Sequence, residues 1–220
     1  MDDAETTDTR TARAAADLGS PVASVRLRAA LTAGTHPDPG LVDLLLDRCA
    51  VEPDFFVRDT LTWALVQAPR EVTVPALRTA LESPTTQARS QALHTLSKLV
   101  VPQAWAWVFP ALLCDPDDEV ARAAWRVAVG IVPRGREGDL AETLLAHLGR
   151  GDGEVKKSLS RALVDLALLS DGVVDLLTEA RDGLSAPLAA HAEATLTLLR
   201  DPGAGFEGPY GDALRRRGLR

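Results

Sequence analysis

The stretch Glu52–Ser83, EPDFFVRDTLTWALVQAPREVTVPALRTALES, decides the fold. It reads as a helix, a short turn and a second helix, after which the pattern starts again. An acid or Ser and a Pro open it, and Val57-Arg58 then leads an apolar run at helical spacing. The same opening recurs at Ser20-Pro21, Ser83-Pro84 and Asp115-Pro116, and more loosely at Asp152 and Ser185. Anchored on the Val of each Val-Arg position, the units fall at Val25, Val57, Ala88, Val120, Val155 and Leu188. The intervals are 32, 31, 32, 35 and 33 residues. A period in this range is the mark of a repeat array.

Two columns test the repeat. Four residues after the anchors stand Ala29, Leu61, Ala92, Ala124, Leu159 and Ala192, and eight after stand Ala33, Leu65, Leu96, Ala128, Leu163 and Leu196. All are apolar, and offsets of 0, 4 and 8 share one helix face, the expected seam of each second helix. The first helices carry stripes of their own, such as Leu41, Leu44 and Leu45, or Leu140, Leu144 and Leu148. Gly34–Gly40, Pro69, Pro102, Pro133–Gly138 and Gly149–Gly153 break the helices. Hairpins this short cannot bury their apolar faces alone, so consecutive units must stack.

Composition agrees. Hydrophobic residues make up 46% of 220 and aromatics only 4%, so Ala, Leu and Val must fill the core and helix is favoured over sheet. A net charge of −7 has the wrong sign for a chain held mainly by phosphate neutralisation. Only three of the 24 basic residues are Lys, an Arg bias that reflects coding more than chemistry. Cys49 and Cys114 lie in apolar helical runs without metal-type spacing and read as buried free thiols in a reducing compartment. The acidic start MDDAETTDTR is no signal peptide, and no apolar run reaches the roughly 18 residues of a membrane span. Residues 1–6 read as disordered, 7–200 as the repeat array, and 201–220 as a flexible tail ending in Arg215, Arg216, Arg217 and Arg220, with room for a short helix near Asp212–Arg217.

The SPxxxVR and DPDDEV-type openings, with Ala at fixed places after them, resemble bacterial HEAT repeats of the phycobilisome-lyase-like kind, over roughly residues 7–200. The resemblance implies an all-α, right-handed α-solenoid (a superhelix) of about six HEAT-like hairpins, whose second helices line a concave side. The fourth unit departs from it with Ala121 in the Arg column and Arg122 beside it, and the last with Ala189. For the Arg column itself, Arg26, Arg58, Arg89 and Lys156, the family implies bonds to loop carbonyls or nearby acids; the other reading is a basic ladder for phosphate or acidic partners.

Two and six residues after each anchor the pattern turns polar. Offset 2 holds Leu27, Asp59, Ser90, Arg122, Lys157 and Ala190, and offset 6 holds Leu31, Trp63, His94, Arg126, Arg161 and Ala194. Positions four apart share a face, so Asp59, Trp63, Ser90, His94, Arg122, Arg126, Lys157 and Arg161 form the candidate partner-binding surface of the concave side. Trp and Arg are enriched at interface hot spots; a solvated charged face is the plain alternative. Trp105 and Trp107, two apart, cannot share a face, so one should be core and one partly exposed. Trp125 could border the groove or pack between units. His36, His94, His147 and His191 show no ligand spacing, and neither a phosphate loop nor a nucleophile elbow is present.

The reading is a cytoplasmic, monomeric, non-catalytic scaffold or adaptor, not an enzyme, that holds a protein or peptide partner and needs neither metal nor cofactor. The alternative is a nucleic-acid-binding or alkylbase DNA glycosylase-like HEAT protein, with Asp59 and Trp63 in the site and Arg122–Arg161 on phosphates; the acidic balance and the lack of an aromatic cluster speak against it. A regulatory partner of a signalling protein cannot be separated from the first reading. A chromophore-lyase-like role follows from the resemblance alone.

Overall fold

The computed structural model describes residues 2–219. Among them every regular element is helical. The chain runs α1 (Asp2–Leu18) and α2 (Ala23–Thr35), α3 (Val42–Val51) and α4 (Phe55–Gln67), α5 (Arg70–Ala80) and α6 (Thr86–Leu99). It continues through α7 (Trp105–Val108) and α8 (Asp118–Ile131), α9 (Glu137–Leu145) and α10 (Gly153–Ala167), α11 (Asp171–Gly183) and α12 (Ala186–Arg200), and ends with α13 (Glu207–Arg216). Each of the six anchors lies in an even-numbered helix through α12, so the all-α solenoid reading holds hairpin by hairpin. Helix α1 already begins at Asp2, within the segment read as disordered; Met1 lies outside the described residues. Helix α7 is a single turn, because Pro110 follows and has no N–H to continue the ladder.

The chain divides into two compact units, Met1–Ala104 and Trp105–Arg220. In the first, α2, α4 and α6 pack side by side in sequence order, and α3 packs against α4, α5 and α6. In the second, α8, α10 and α12 form the equivalent row, with α9 against α11. The seam columns are the reason. Of their eighteen residues only Val25, Ala29 and Leu188, in the first and last hairpins, are left half-buried. Leu61, Leu65, Leu96 and Leu163 are fully buried, each contributing on the order of 2 kcal/mol.

The second helices start on matched hardware. Three residues before the anchor, Asp54, Asp117 and Asp152 accept the backbone N–H of Val57, Val120 and Val155 at 3.0–3.2 Å, caps worth about 1 kcal/mol each. One residue after the anchor, the Arg column closes the preceding loop. Arg26 donates to the Ser20 carbonyl at 2.8 Å, Arg58 to that of Glu52 at 2.8 Å, and Arg89 to that of Ser83 at 2.9 Å, each six residues back. Lys156 reaches the Gly151 carbonyl. Where Ala121 interrupts the column, Arg150 supplies the bond: its guanidinium donates to the Asp115 carbonyl at 2.6 Å, six residues before Ala121, and to the Asp118 carboxylate at 2.7 Å. The column is therefore structural.

Two buried polar nodes hold neighbouring repeats. In the first unit, Glu52 is fully buried and accepts Arg26 through both carboxylate oxygens at 2.7 Å, Arg48 at 2.7 Å, and the backbone N–H of Asp54 at 2.9 Å. Burial works to raise its pKa, but the bonds from Arg26, the Asp54 backbone and Arg48 outweigh it and bring the carboxyl down to about 2. Gln87 on α6 donates to the carbonyls of Cys49 and Glu52 at 2.8 and 2.9 Å, tying a third repeat to the same corner.

In the second unit, His191 on α12 is fully buried. Its Nδ1 accepts the Gly149 N–H at 2.9 Å, so a neutral ring carries its proton on Nε2, which faces Ser160 Oγ at 3.0 Å and the Lys156 carbonyl at 3.1 Å. Ser160 Oγ also meets Thr195 Oγ1 at 2.7 Å. Burial pushes His191 down to about 4.

Helix α13 packs on the other side of His191. Phe206 and Tyr210 set their rings edge-on to the imidazole at 5.3 and 5.9 Å and stack on each other at 5.2 Å. Arg216 and Arg217 pair with Glu193 of α12. The tail thus carries a helix longer than the short one expected near Asp212–Arg217, beginning at Glu207, and its face of Tyr210 and Ala213, with the flanking Phe206 and Arg217, lies against the last repeat. The Gly-rich spelling of the segment hides that spacing.

Glu52→Gln leaves buried Arg26 and half-buried Arg48 without their acid and should cost about 3 kcal/mol or more, read as a fall in urea midpoint at constant m-value; a change under about 1 kcal/mol contradicts the node. For His191, the unfolded ring takes up its proton near 6.5 and the folded ring near 4. The stability it contributes is complete above the higher value and is lost as pH falls through that window, about 3 kcal/mol in all. Urea titrations from pH 7 to 4 should show this slope, and His191→Gln should flatten it; an unchanged slope in the variant contradicts the neutral buried ring.

Candidate functional site

The polar columns occupy the face of the second helices that points away from the seam. In the first unit, Asp59 and Trp63 lie one turn apart on α4, both exposed, and Ser90 and His94 lie half-buried on the adjacent α6. The corresponding α2 residues are apolar, Leu27 half-buried and Leu31 44% exposed. Trp63 is not a loose side chain. A Cβ on Gly34 of α2 would come within 2.2 Å of its ring, so the indole rests on the bare backbone of the neighbouring helix and keeps 40% of its surface open. Glycine at residue 34 is what lets the ring lie down.

The sequence reading missed two residues of this surface. Phe55 precedes Asp59 by four positions and therefore continues the same face, and Phe56 follows it. Their rings meet edge-on at 5.7 Å and are 65% and 71% exposed. Four residues before the polar column was the available signal. With Leu31, Trp63 and Phe55 the face is mainly apolar, and Asp59 is the one charge at offsets −2, 2 and 6 of α2 and α4.

In the second unit, Arg122 and Arg126 on α8 and Lys157 and Arg161 on α10 lie on adjacent helices. Arg122 is drawn sideways: it donates to Ser158 at 2.9 Å and to Glu119 at 2.8 Å. Lys157 reaches Glu154 at 3.3 Å. Arg126 and Arg161 are exposed. Acids one turn back thus offset half of the basic column. Where the C-terminal segment passes α10 it leaves a cavity of about 250 Å³, with Lys157, Arg161 and Asp165 on one side and Leu198, Pro202 and Phe206 on the other. In the last repeat Ala190 and Ala194 are fully buried where α13 packs on α12. The same offsets that stand open on α4 are closed on α12 by the chain itself.

The tryptophans of the second unit belong to packing. Trp125 is fully buried and donates to the Leu113 carbonyl at 3.1 Å, which removes it from any groove. Trp105 and Trp107 are both half-buried, and Trp105 stacks on Phe109 at 4.6 Å under the Arg136 guanidinium. Of the two cysteines, Cys49 is buried as expected, its thiol pushed up to about 12 by burial. Cys114 is exposed, contrary to expectation, because it ends a 3-10 turn, not an α-helix. Its Sγ lies 3.5 Å from His147 Nε2, and burial together with nearby Arg150 holds that imidazole below its usual range. The contact spans 33 residues and had no spacing signal. Among the described residues no three metal-ligating side chains gather, and no helix is long and apolar enough to cross a membrane.

No family model matches the chain, and no curated protein matches it. Among solved structures, that of an engineered protein is similar with a TM-score of 0.45 and 20% identity, covering 88% of this chain and 97% of that one. The complex of CpcE and CpcF of phycocyanin lyase from Nostoc sp. PCC7120 is similar with a TM-score of 0.47 and 20% identity, covering 94% of this chain and 87% of that one. Against the second, whose name is that of a lyase, the expectation that the chain is not an enzyme is corrected and not kept.

Proposed function

We propose that the chain is a cytoplasmic, HEAT-like helical-repeat protein of bacterial type that holds a protein or peptide partner in a concave groove, on the face of its second helices that carries the polar columns. The observation that carries this reading is the surface of α4. Trp63 is propped on Gly34 with 40% of its area open, beside Phe55 and Phe56 at 65% and 71%. A monomeric chain gains nothing by leaving three aromatics of one helix in water, and large exposed apolar side chains on one face mark interaction sites. A rigid indole also loses little entropy on binding, which is why Trp dominates hot spots. Asp59, Ser90 and His94 supply polar contacts around it, and Arg122, Arg126, Lys157 and Arg161 offer the second unit's face to acidic groups of a partner. The distribution of charge favours this over nucleic acid, since Arg122 and Lys157 already face acids of their own helices.

Immobilised chain carrying Trp63→Ala together with Arg126→Ala, both at exposed positions, should lose capture of the partner from an extract of the source cells while retaining its thermal midpoint. Capture by the double variant equal to that of the unaltered chain would remove this reading.

A further inference from the structure

The chain shows what its own outer face accepts. On α12 the offsets that are open elsewhere are covered by α13, an amphipathic helix with Tyr210 and Ala213 along one face, capped by Phe206 before it and Arg217 after it, and with Arg215 and Arg216 in its last turn. Arg216 and Arg217 pair with Glu193, an acid beside the covered apolar stripe of Ala190 and Ala194. The outer face of α2 and α4 has the same two ingredients in uncovered form. Its stripe is apolar (Leu27, Leu31, Phe55, Trp63), and the one charge at these offsets is the acid Asp59, with Arg28 exposed at the border of the stripe on α2.

We infer that the outer face of α2 and α4 takes an amphipathic helix with an aromatic face and a basic last turn, the same make as the chain's own α13. The inference rests on the partner-binding reading above and names the occupant. Three features support a helix over an extended strand. The stripe follows offsets of four along each helix, matching the i, i+4 and i+7 anchors of a helix laid in a groove. No row of unpaired backbone groups is available to pair with a strand, since both walls are helices whose N–H and C=O groups bond internally. The open aromatics lie at the start and middle of α4, eight residues apart, a span of about 12 Å, which two turns of a docked helix match. The acid within the stripe sets the register: a helix whose last turn brings Arg or Lys over α4 gains a partner in Asp59, while Arg28 at the edge on α2 can meet an acid nearer its start.

The test uses the full chain and a fluorescein-labelled synthetic peptide of residues 206–219, FEGPYGDALRRRGL, followed by fluorescence anisotropy. Saturable binding is expected, weakened about tenfold by Trp63→Ala and about fivefold by Asp59→Lys, which should also flatten the salt dependence. Leu31→Lys, at an exposed position that folding does not need, should weaken it as well and serves should Trp63→Ala unfold the chain. A peptide carrying Asp212→Pro, unable to complete the helix, should not bind. Equal binding of the proline peptide through Trp63 overturns the helical occupant and leaves the partner reading standing. Absence of binding up to about 0.5 mM, or binding indifferent to Trp63, Asp59 and Leu31, as when the peptide merely displaces α13 from α12, overturns the inference outright; the capture experiment above then decides the broader reading independently.

Discussion

At five of the six second helices a long basic side chain holds a carbonyl of the loop before the helix. Arg26, Arg58 and Arg89 do this for Ser20, Glu52 and Ser83, six residues back, and so tie the loop to the first turn of the helix that follows it. The requirement is strong enough that its loss at Ala121 is met from elsewhere, by Arg150 reaching 35 residues back to the Asp115 carbonyl. A carbonyl at a helix entrance that lost both water and partner would cost as much as a missing hydrogen bond. The bracket ties the loop to the helix, and the rotation of the helix decides which offsets face the seam and which face out.

That rotation divides labour among the side chains. Offsets 0, 4 and 8 make the core and are small or aliphatic. Offset 5 looks sideways at a neighbouring repeat, and there the chain is free to place a polar group, as it does with Ser160 against His191 and Thr195. Offsets 2 and 6 look outward and carry whatever the surface is for. On α4 this is Asp59 and Trp63; on α12 it is Ala190 and Ala194, small enough for α13 to settle on them. Terminal repeats of stacked arrays need such a cover because they lack one neighbour. At the last repeat, α13 supplies it, with the neutral His191 between the two helices.

The hairpins were legible because one constraint repeats six times: Val25 to Leu188 can be aligned by eye, and all six second helices fall where the columns place them. The Arg column was equally legible, since its role is local. Long-range substitutions were not. Nothing in the sequence marks Arg150 as the stand-in for the residue at 121, nor brings Cys114 to His147, because both depend on how adjacent repeats register. The cover by α13 was hidden by Gly205, Gly208 and Gly211, which lower helix propensity while leaving the spacing of Phe206, Tyr210 and Ala213 intact. Of the candidate surface, Asp59 and Trp63 were correctly read as outward, yet Phe55 and Phe56 were passed over as part of the helix opening. Trp125 sits at offset 5, a lateral position, and its burial follows from that offset.

The most direct test of this division of faces is the rate at which single cysteines react with a bulky maleimide, in a chain whose Cys49 and Cys114 are replaced by Ala. Cysteines placed at 59, 126 and 161 should label at rates near that of a free thiol, while those at 190 and 194 should label far more slowly under the cover of α13. Comparable rates at all five positions, or protection at 59, would contradict the account.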